Sequence, residues 1–174
     1  RVLLFEKHGD GRFREPGEYP RRAIATVTTH DLPTLNGYWS ASDIELRRRL
    51  ALYPSDELRL QVLEERVRER AALLAALAAA GLQVTGCDAS SSSYSPELSR
   101  AIHVFLARSA AALVVLQAED LIGMPHPVNV PGTSDEHANW QRKMSCDLDE
   151  LFSRESVRGL LHEVHAARST SHGG

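Results

Sequence analysis

Apolar residues along this chain fall into two rhythms. Three short runs, Val2 to Glu6, Ala23 to Thr29 and Ala112 to Gln117, have strand composition. The first ends in the turn-forming Lys7-His8-Gly9-Asp10-Gly11. The third is apolar almost throughout, as expected of a strand covered on both faces. Longer segments have helical composition or spacing. Leu35 to Leu50 predicts a helix that Ser40 or Ser42 could cap. Pro54-Ser55-Asp56-Glu57 opens a long helix through Ala80, stopped by Gly81. Its Leu60, Leu63, Val67, Leu74 and Leu77 recur at helical spacing, with charges over much of the remaining surface. Ser95-Pro96-Glu97 starts another helix, to about Ser109, and Leu148 to Ala167 predicts a closing one.

The stretches between have their own character. Arg12 to Arg22 is a connecting loop, and Ser90 to Ser93 a solvated bend. Asp120 to Trp140 is rich in Pro, Gly and Asn, and loops that long in compact domains are usually functional or disordered. Ser169 to Gly174 is expected to be a disordered tail. The alternation of strands and helices predicts an α/β fold. Three strands cannot close a barrel alone. With no initiating Met and a strand-like Arg1 to Phe5, the chain is expected to be a piece of a longer protein.

Composition narrows the class of function. The 174 residues are 43% hydrophobic and 25% charged, neither a disordered nor a membrane composition. A net charge of -3 with mixed signs gives no electrostatic case for nucleic acid as a partner. No apolar run reaches the roughly 20 residues of a membrane helix. Cys87 and Cys146 form no metal or redox spacing, and a reduced, cytoplasmic protein is the plain reading.

The chemistry concentrates where the second strand ends. Ala25-Thr26-Val27-Thr28-Thr29 runs straight into His30-Asp31, then Leu32-Pro33-Thr34, which places an imidazole and a carboxylate at a strand's carboxyl end. In α/β barrels the reacting groups sit at those ends. On residue chemistry alone, Asp31 either caps the next turn or takes part in a site. Asn129, in Asn-x-Pro-Gly, is either an ordinary turn residue or an amide able to donate to and accept from hydroxyls. Asp120, just past the third strand, either faces a cleft or caps a short helix. Trp39, Tyr38 and Trp140 either pack in the core and loops or stack on a ligand ring. His162 and His165 have a spacing that zinc can use, but no third ligand accompanies them, so no metal site is expected.

In Thr28-Thr29-His30-Asp31-Leu32-Pro33-Thr34, Gly37-Tyr38-Trp39, Glu119-Asp120-Leu121-Ile122-Gly123, Asn129-Val130-Pro131-Gly132 and Asn139-Trp140, the chain resembles the amylomaltases, 4-alpha-glucanotransferases of the alpha-amylase clan. The resemblance runs from Val2 to about Leu161. It implies the last three strands of a (β/α)8 barrel over residues 1–168, with a helical insertion at about 41–82. It also implies an enzyme that moves alpha-1,4-glucan segments between malto-oligosaccharides by a retaining double displacement, without a cofactor. Asp31 matches the family's third, transition-state-stabilising carboxylate, with His30, Asn129, Asp120 and Trp39 as substrate-binding candidates. No motif here matches the nucleophile or the acid/base, which implies a chain inactive by itself. The alternative is a carbohydrate-binding remnant without the reaction.

Overall fold

The computed structural model describes residues 1–171. Two parallel strands, β1 (Ile24–Thr26) and β2 (Leu113–Val115), pair in the register Ile24↔Leu113, Ala25↔Val114 and Thr26↔Val115. The first expected strand is instead a turn of 3-10 helix at Leu3–Phe5, with a single parallel bridge from Val2 to Thr26. Among the described residues the sheet therefore has two strands, not three. Alternation along the strands explains which side chains are buried. Ala25 belongs to the core with Val114 packed on it, while Ile24, Leu113 and Val115 point to the other face. Leu113 is 59% and Val115 48% exposed, so β2 is not covered on both faces as its apolar composition predicts.

Helices pack against the buried face. After β1 come α1 (Leu35–Ser40), α2 (Ser42–Arg49) and the long α3 (Asp56–Ala79). The expected single helix from Leu35 to Leu50 is broken at Ala41, which sits in the left-handed region at φ 60°. The Thr34 hydroxyl, rather than Ser40 or Ser42, caps α1 by accepting from the Gly37 N–H at 3.0 Å. Gly37 itself is required: a Cβ there would lie 2.6 Å from the Pro125 carbonyl oxygen.

α3 begins and ends as expected. Ser55 accepts the Leu58 N–H at 3.2 Å, and beyond Ala80 the left-handed Gly81 lets Leu82 N–H return to the Leu77 carbonyl at 2.8 Å. Its inward face differs from the expected one. Leu73 and Leu77 are buried, but so are Arg66 and Arg70, whereas Leu60 and Val67 are exposed. Arg66 is tolerated inside because both its terminal nitrogens donate to the Asp43 carboxylate, at 2.9 Å each, and its guanidinium lies 4.0 Å from the Tyr38 ring centre. Apolar spacing does not foresee a paired arginine.

α4 (Pro96–Ala107) is capped by Ser95 and packs between α3 and α7 (Glu155–Ser171), so it is buried nearly throughout. Leu98, Ile102 and Phe105 join Leu3, Leu73 and Leu77 in the main core. Beyond β2 lie α5 (Ala118–Leu121) and α6 (Leu148–Ser153). The expected closing helix is thus two helices, α6 and α7, parted at Arg154. Arg168 on α7 donates to the carbonyls of Ser109 and Ala111 at 2.8 and 2.7 Å, fastening the last helix to the entry of β2. Because α7 continues to Ser171, the expected tail begins inside a helix, and its last residues, 172–174, lie outside the described residues.

Candidate functional site

The chain leaves β1 through Val27 and Thr28 and makes a tight turn. Leu32 N–H donates to the Thr29 carbonyl at 3.0 Å, so His30 and Asp31 are the two central residues of a β-turn. Their side chains project outward, 58% and 53% exposed, with His30 Nε2 and Asp31 Oδ2 3.3 Å apart. The other carboxylate oxygen, Oδ1, accepts from Asn129 Nδ2 at 2.7 Å. Residues 98 positions apart in sequence thus meet at the carboxyl ends of the two strands.

The loop carrying Asn129 is held from both sides. Val130 to Thr133 is a turn with Pro131 and then the left-handed Gly132 at its centre, closed by Thr133 N–H to Val130 O at 3.2 Å. Asn139 Oδ1 accepts the Val130 N–H at 2.9 Å, and its Nδ2 donates to Thr133 Oγ1 at 2.9 Å. Trp140 N–H donates to the Val128 carbonyl at 3.1 Å. Asn139 and Trp140 therefore fix the backbone immediately before and after Asn129. Trp140, in the left-handed region at φ 62°, presents its ring to His30, with centres 5.1 Å apart and planes tilted by 51°.

Two expected substrate-binding residues lie elsewhere. Trp39 is fully buried in the core and offers no face to a sugar ring. Asp120 is 2% exposed, its Oδ1 accepting the Leu35 N–H at 2.7 Å and its Oδ2 lying 2.9 Å from Thr28 Oγ1. It borders a concavity of about 430 Å³ between α4, α5 and α7, but its carboxyl does not cap α5; it turns inward and caps α1 from across the fold. Burial pushes its carboxyl above the usual carboxylate range and pushes the neighbouring His103 imidazole down. Among the aromatic candidates it is Trp140, 62% exposed, that stands beside the pair. Asn139 gave a sequence signal only as part of Asn-Trp, and Thr28 and Gln117 gave none as partners of Asp120.

Asp31 and Asn129 also line a cavity of about 40 Å³ beneath the turn, with Asp43 and Arg47. That volume is close to one water molecule's share of liquid, far too small for a sugar ring. A ring must therefore approach from the open side. Larger concavities lie away from the pair, including a groove of about 620 Å³ between α3 and the Phe13 to Glu18 segment. The described residues contain no cluster of three or more His, Cys, Asp or Glu able to hold a metal ion.

Parallel strands backed by helices, with polar side chains gathered at the strands' carboxyl ends, define an α/β protein with a strand-end site. Residues 1–149 match the family model described as 4-alpha-glucanotransferase, and the chain belongs to that family. A 4-alpha-glucanotransferase of Haemophilus influenzae is 33% identical over 171 residues, covering 97% of this chain and 24% of its own length. One from Mycobacterium bovis is 29% identical over 179 residues, again covering 97% of this chain and 24% of its own length. The structure is similar to the crystal structure of amylomaltase from Corynebacterium glutamicum, with a TM-score of 0.79 at 29% identity over 96% of this chain and 25% of that one. The chain thus spans about a quarter of the length of the relatives it matches.

Proposed function

We propose that this chain forms the sugar-gripping part of a cytoplasmic 4-alpha-glucanotransferase that moves alpha-1,4-glucan segments between malto-oligosaccharides by a retaining double displacement. The observation that carries the reading is the exposed Asp31 carboxylate, held by Asn129 and set beside His30 in a chain of this family. An ionised carboxylate offers about four lone-pair sites. Asn129 occupies one and His30 stands against another, which leaves sites for ring hydroxyls. His30 Nε2 and Asp31 Oδ2 are 3.3 Å apart, so a sugar hydroxyl set to one side of both would accept from the imidazole and donate to the carboxylate. Such bonds strengthen as the ring flattens toward an oxocarbenium ion, which is where they contribute to rate.

The nucleophile and the acid/base, about 5–5.5 Å apart in a retaining enzyme, are assigned to the part of the family's length that this chain does not span. The exposed Ile24, Leu113 and Val115 fit the same reading. They become the inner wall of a (β/α)8 barrel, whose interior is filled by branched side chains, once further strands pair beside β1 and β2.

The test is turnover of maltotriose by the full-length protein and by these 174 residues alone. Asp31→Asn in the full-length protein should lower kcat by about 10²–10³-fold, and the 174 residues should release no glucose. Glucose release by the chain alone would show that the reaction carboxylates have been misplaced. A full-length protein that binds maltotriose without turning it over would point to a carbohydrate-binding remnant instead.

A further inference from the structure

We propose that Asp120 is a positioning residue: its buried carboxyl clamps both ends of the segment Thr28–Leu35 and so fixes where His30 and Asp31 stand. The proposal rests on the reading of Asp31 as a sugar-binding carboxylate. It gives Asp120 a task that does not involve touching the sugar.

His30 and Asp31 project from a turn between the end of β1 and the start of α1, and an exposed turn does not hold a side chain to a fraction of an ångström. Asp120 reaches both ends of the segment. Oδ2 meets Thr28 Oγ1 at 2.9 Å, two residues before His30, and Oδ1 accepts the Leu35 N–H at 2.7 Å, four residues after Asp31. Thr28 and Leu35 are each fully buried, so neither bond competes with water. The Leu35 amide opens α1 and has no partner within its own helix; without Asp120 it would be a buried, unsatisfied donor. Asp120 is itself fixed, because it follows β2 directly through Gln117 and sits in α5. The clamp therefore ties the turn after β1 to the strand beside it.

Proton counting defines the form the clamp takes. Thr28 Oγ1 lies 2.8 Å from Gln117 Oε1 and 2.9 Å from Asp120 Oδ2, yet a hydroxyl has one proton to give. A neutral Asp120 resolves this: its O–H donates to Thr28, Thr28 donates to Gln117, and Oδ1 still accepts from Leu35. Of the titratable groups facing it, His103 from α4 favours the ionised carboxyl, Glu119 disfavours it and Tyr94 lies close by, and burial outweighs the favourable contributions. A carboxamide likewise supplies a donor toward Thr28 and an acceptor toward Leu35, with one further N–H. Asparagine should therefore replace Asp120 where alanine cannot.

The experiment uses the full-length protein, maltotriose and four variants. Asp120→Ala should lower kcat about 10²-fold, the scale of an ångström-sized misplacement, while KM moves less than about threefold. Exchange of the Leu35 amide should accelerate at the same time. Asp120→Asn should restore kcat to within about threefold of wild type and slow that exchange again. Thr28→Val removes one arm only, so Leu35 should stay protected while kcat falls about tenfold. A folded Asp120→Ala protein with fast Leu35 exchange and undiminished kcat would overturn the proposal. So would an Asn variant as slow as the Ala variant. If Asp120→Ala does not fold, undiminished kcat in Thr28→Val overturns it equally. Asp31→Asn is the control: full turnover there removes the site reading and this proposal together, whereas its loss beside an active Asp120→Ala removes the clamp alone.

Discussion

Asp31 and Asp120 occupy equivalent places in the two strand units. Thr26 pairs with Val115, and each aspartate lies five positions beyond its strand's last residue. Both are strand-end carboxylates, the placement that marks reacting groups in α/β barrels. Yet the Asp31 side chain is half exposed and Asp120 is buried against Thr28 and the Leu35 amide. The difference lies in the connection leaving each strand. Pro33 and Thr34 delay α1 after β1, which leaves room for an outward turn, whereas α5 starts three residues after β2 and carries Asp120 inward. Position along a strand nominates a carboxylate for chemistry; the next connection decides whether it faces outward or into the core.

The same substitution at both positions is the sharpest way to break that comparison. Changing carboxylate to carboxamide should cost about 10²–10³-fold in kcat at Asp31 and no more than about threefold at Asp120, read from initial rates on maltotriose in the full-length protein. Equal losses would mean that both carboxylates carry charge to the reaction. Asn129→Ala comes next. It removes the 2.7 Å bond to Asp31 and leaves that carboxylate to choose its own rotamer. A hydrogen bond to a charged group contributes about 1.5–3 kcal/mol, so kcat should fall at least tenfold. A change in KM with kcat intact would instead make Asn129 a simple sugar contact.

Stability against pH tests the buried Asp120 carboxyl by another route. Burial raises the Asp120 carboxyl above its ordinary value of 3.8, so above that value the unfolded chain holds fewer protons here than the folded one. Asp120's contribution to stability therefore falls as pH rises through the window between the ordinary and the raised value. His103 acts in the opposite sense: burial lowers its pKa from 6.5, and its contribution grows as pH rises toward that value. Asp120→Asn removes the first effect and, by taking away a carboxyl that favours the charged imidazole, strengthens the second, so both changes act in the same direction. The stability of Asp120→Asn relative to wild type should thus increase as pH rises above 3.8, measured by urea unfolding. A difference that stays flat would indicate an ionised Asp120 held by its donors.

Much of this was legible in the chain, for identifiable reasons. The α/β class, the limits of α3 and α4 and the role of Gly81 obey local rules of capping and spacing. Asp31 and Asn129 were each nominated by motif, and only the fold shows that they meet. Three features were hidden because local sequence does not determine them. Arg66 is buried because Asp43 meets it, Asp120 because Thr28 and Leu35 do, and Ala41 breaks a helix where no residue preference demands it. Trp39 and Trp140 show the same limit: both aromatics were candidates, and only packing reveals that one lines the core and the other the site.

Trp140→Ala should give the smallest effect of the set. The indole meets His30 from one side, 5.1 Å between ring centres, and so bears on the imidazole rather than on the Asp31 carboxylate. Aromatic pairs of this kind contribute about 0.5–1.5 kcal/mol, less where one ring faces solvent, so kcat should fall by about two- to fivefold. The backbone bond from Trp140 N–H to Val128 survives the substitution, which keeps the Asn129 loop in place. His30→Ala should therefore leave little for a further Trp140→Ala change to remove, and the double variant should match the single one. Additive losses would mean that Trp140 acts on the sugar directly, as a stacking platform, and would move it from the support of the pair to the binding surface itself.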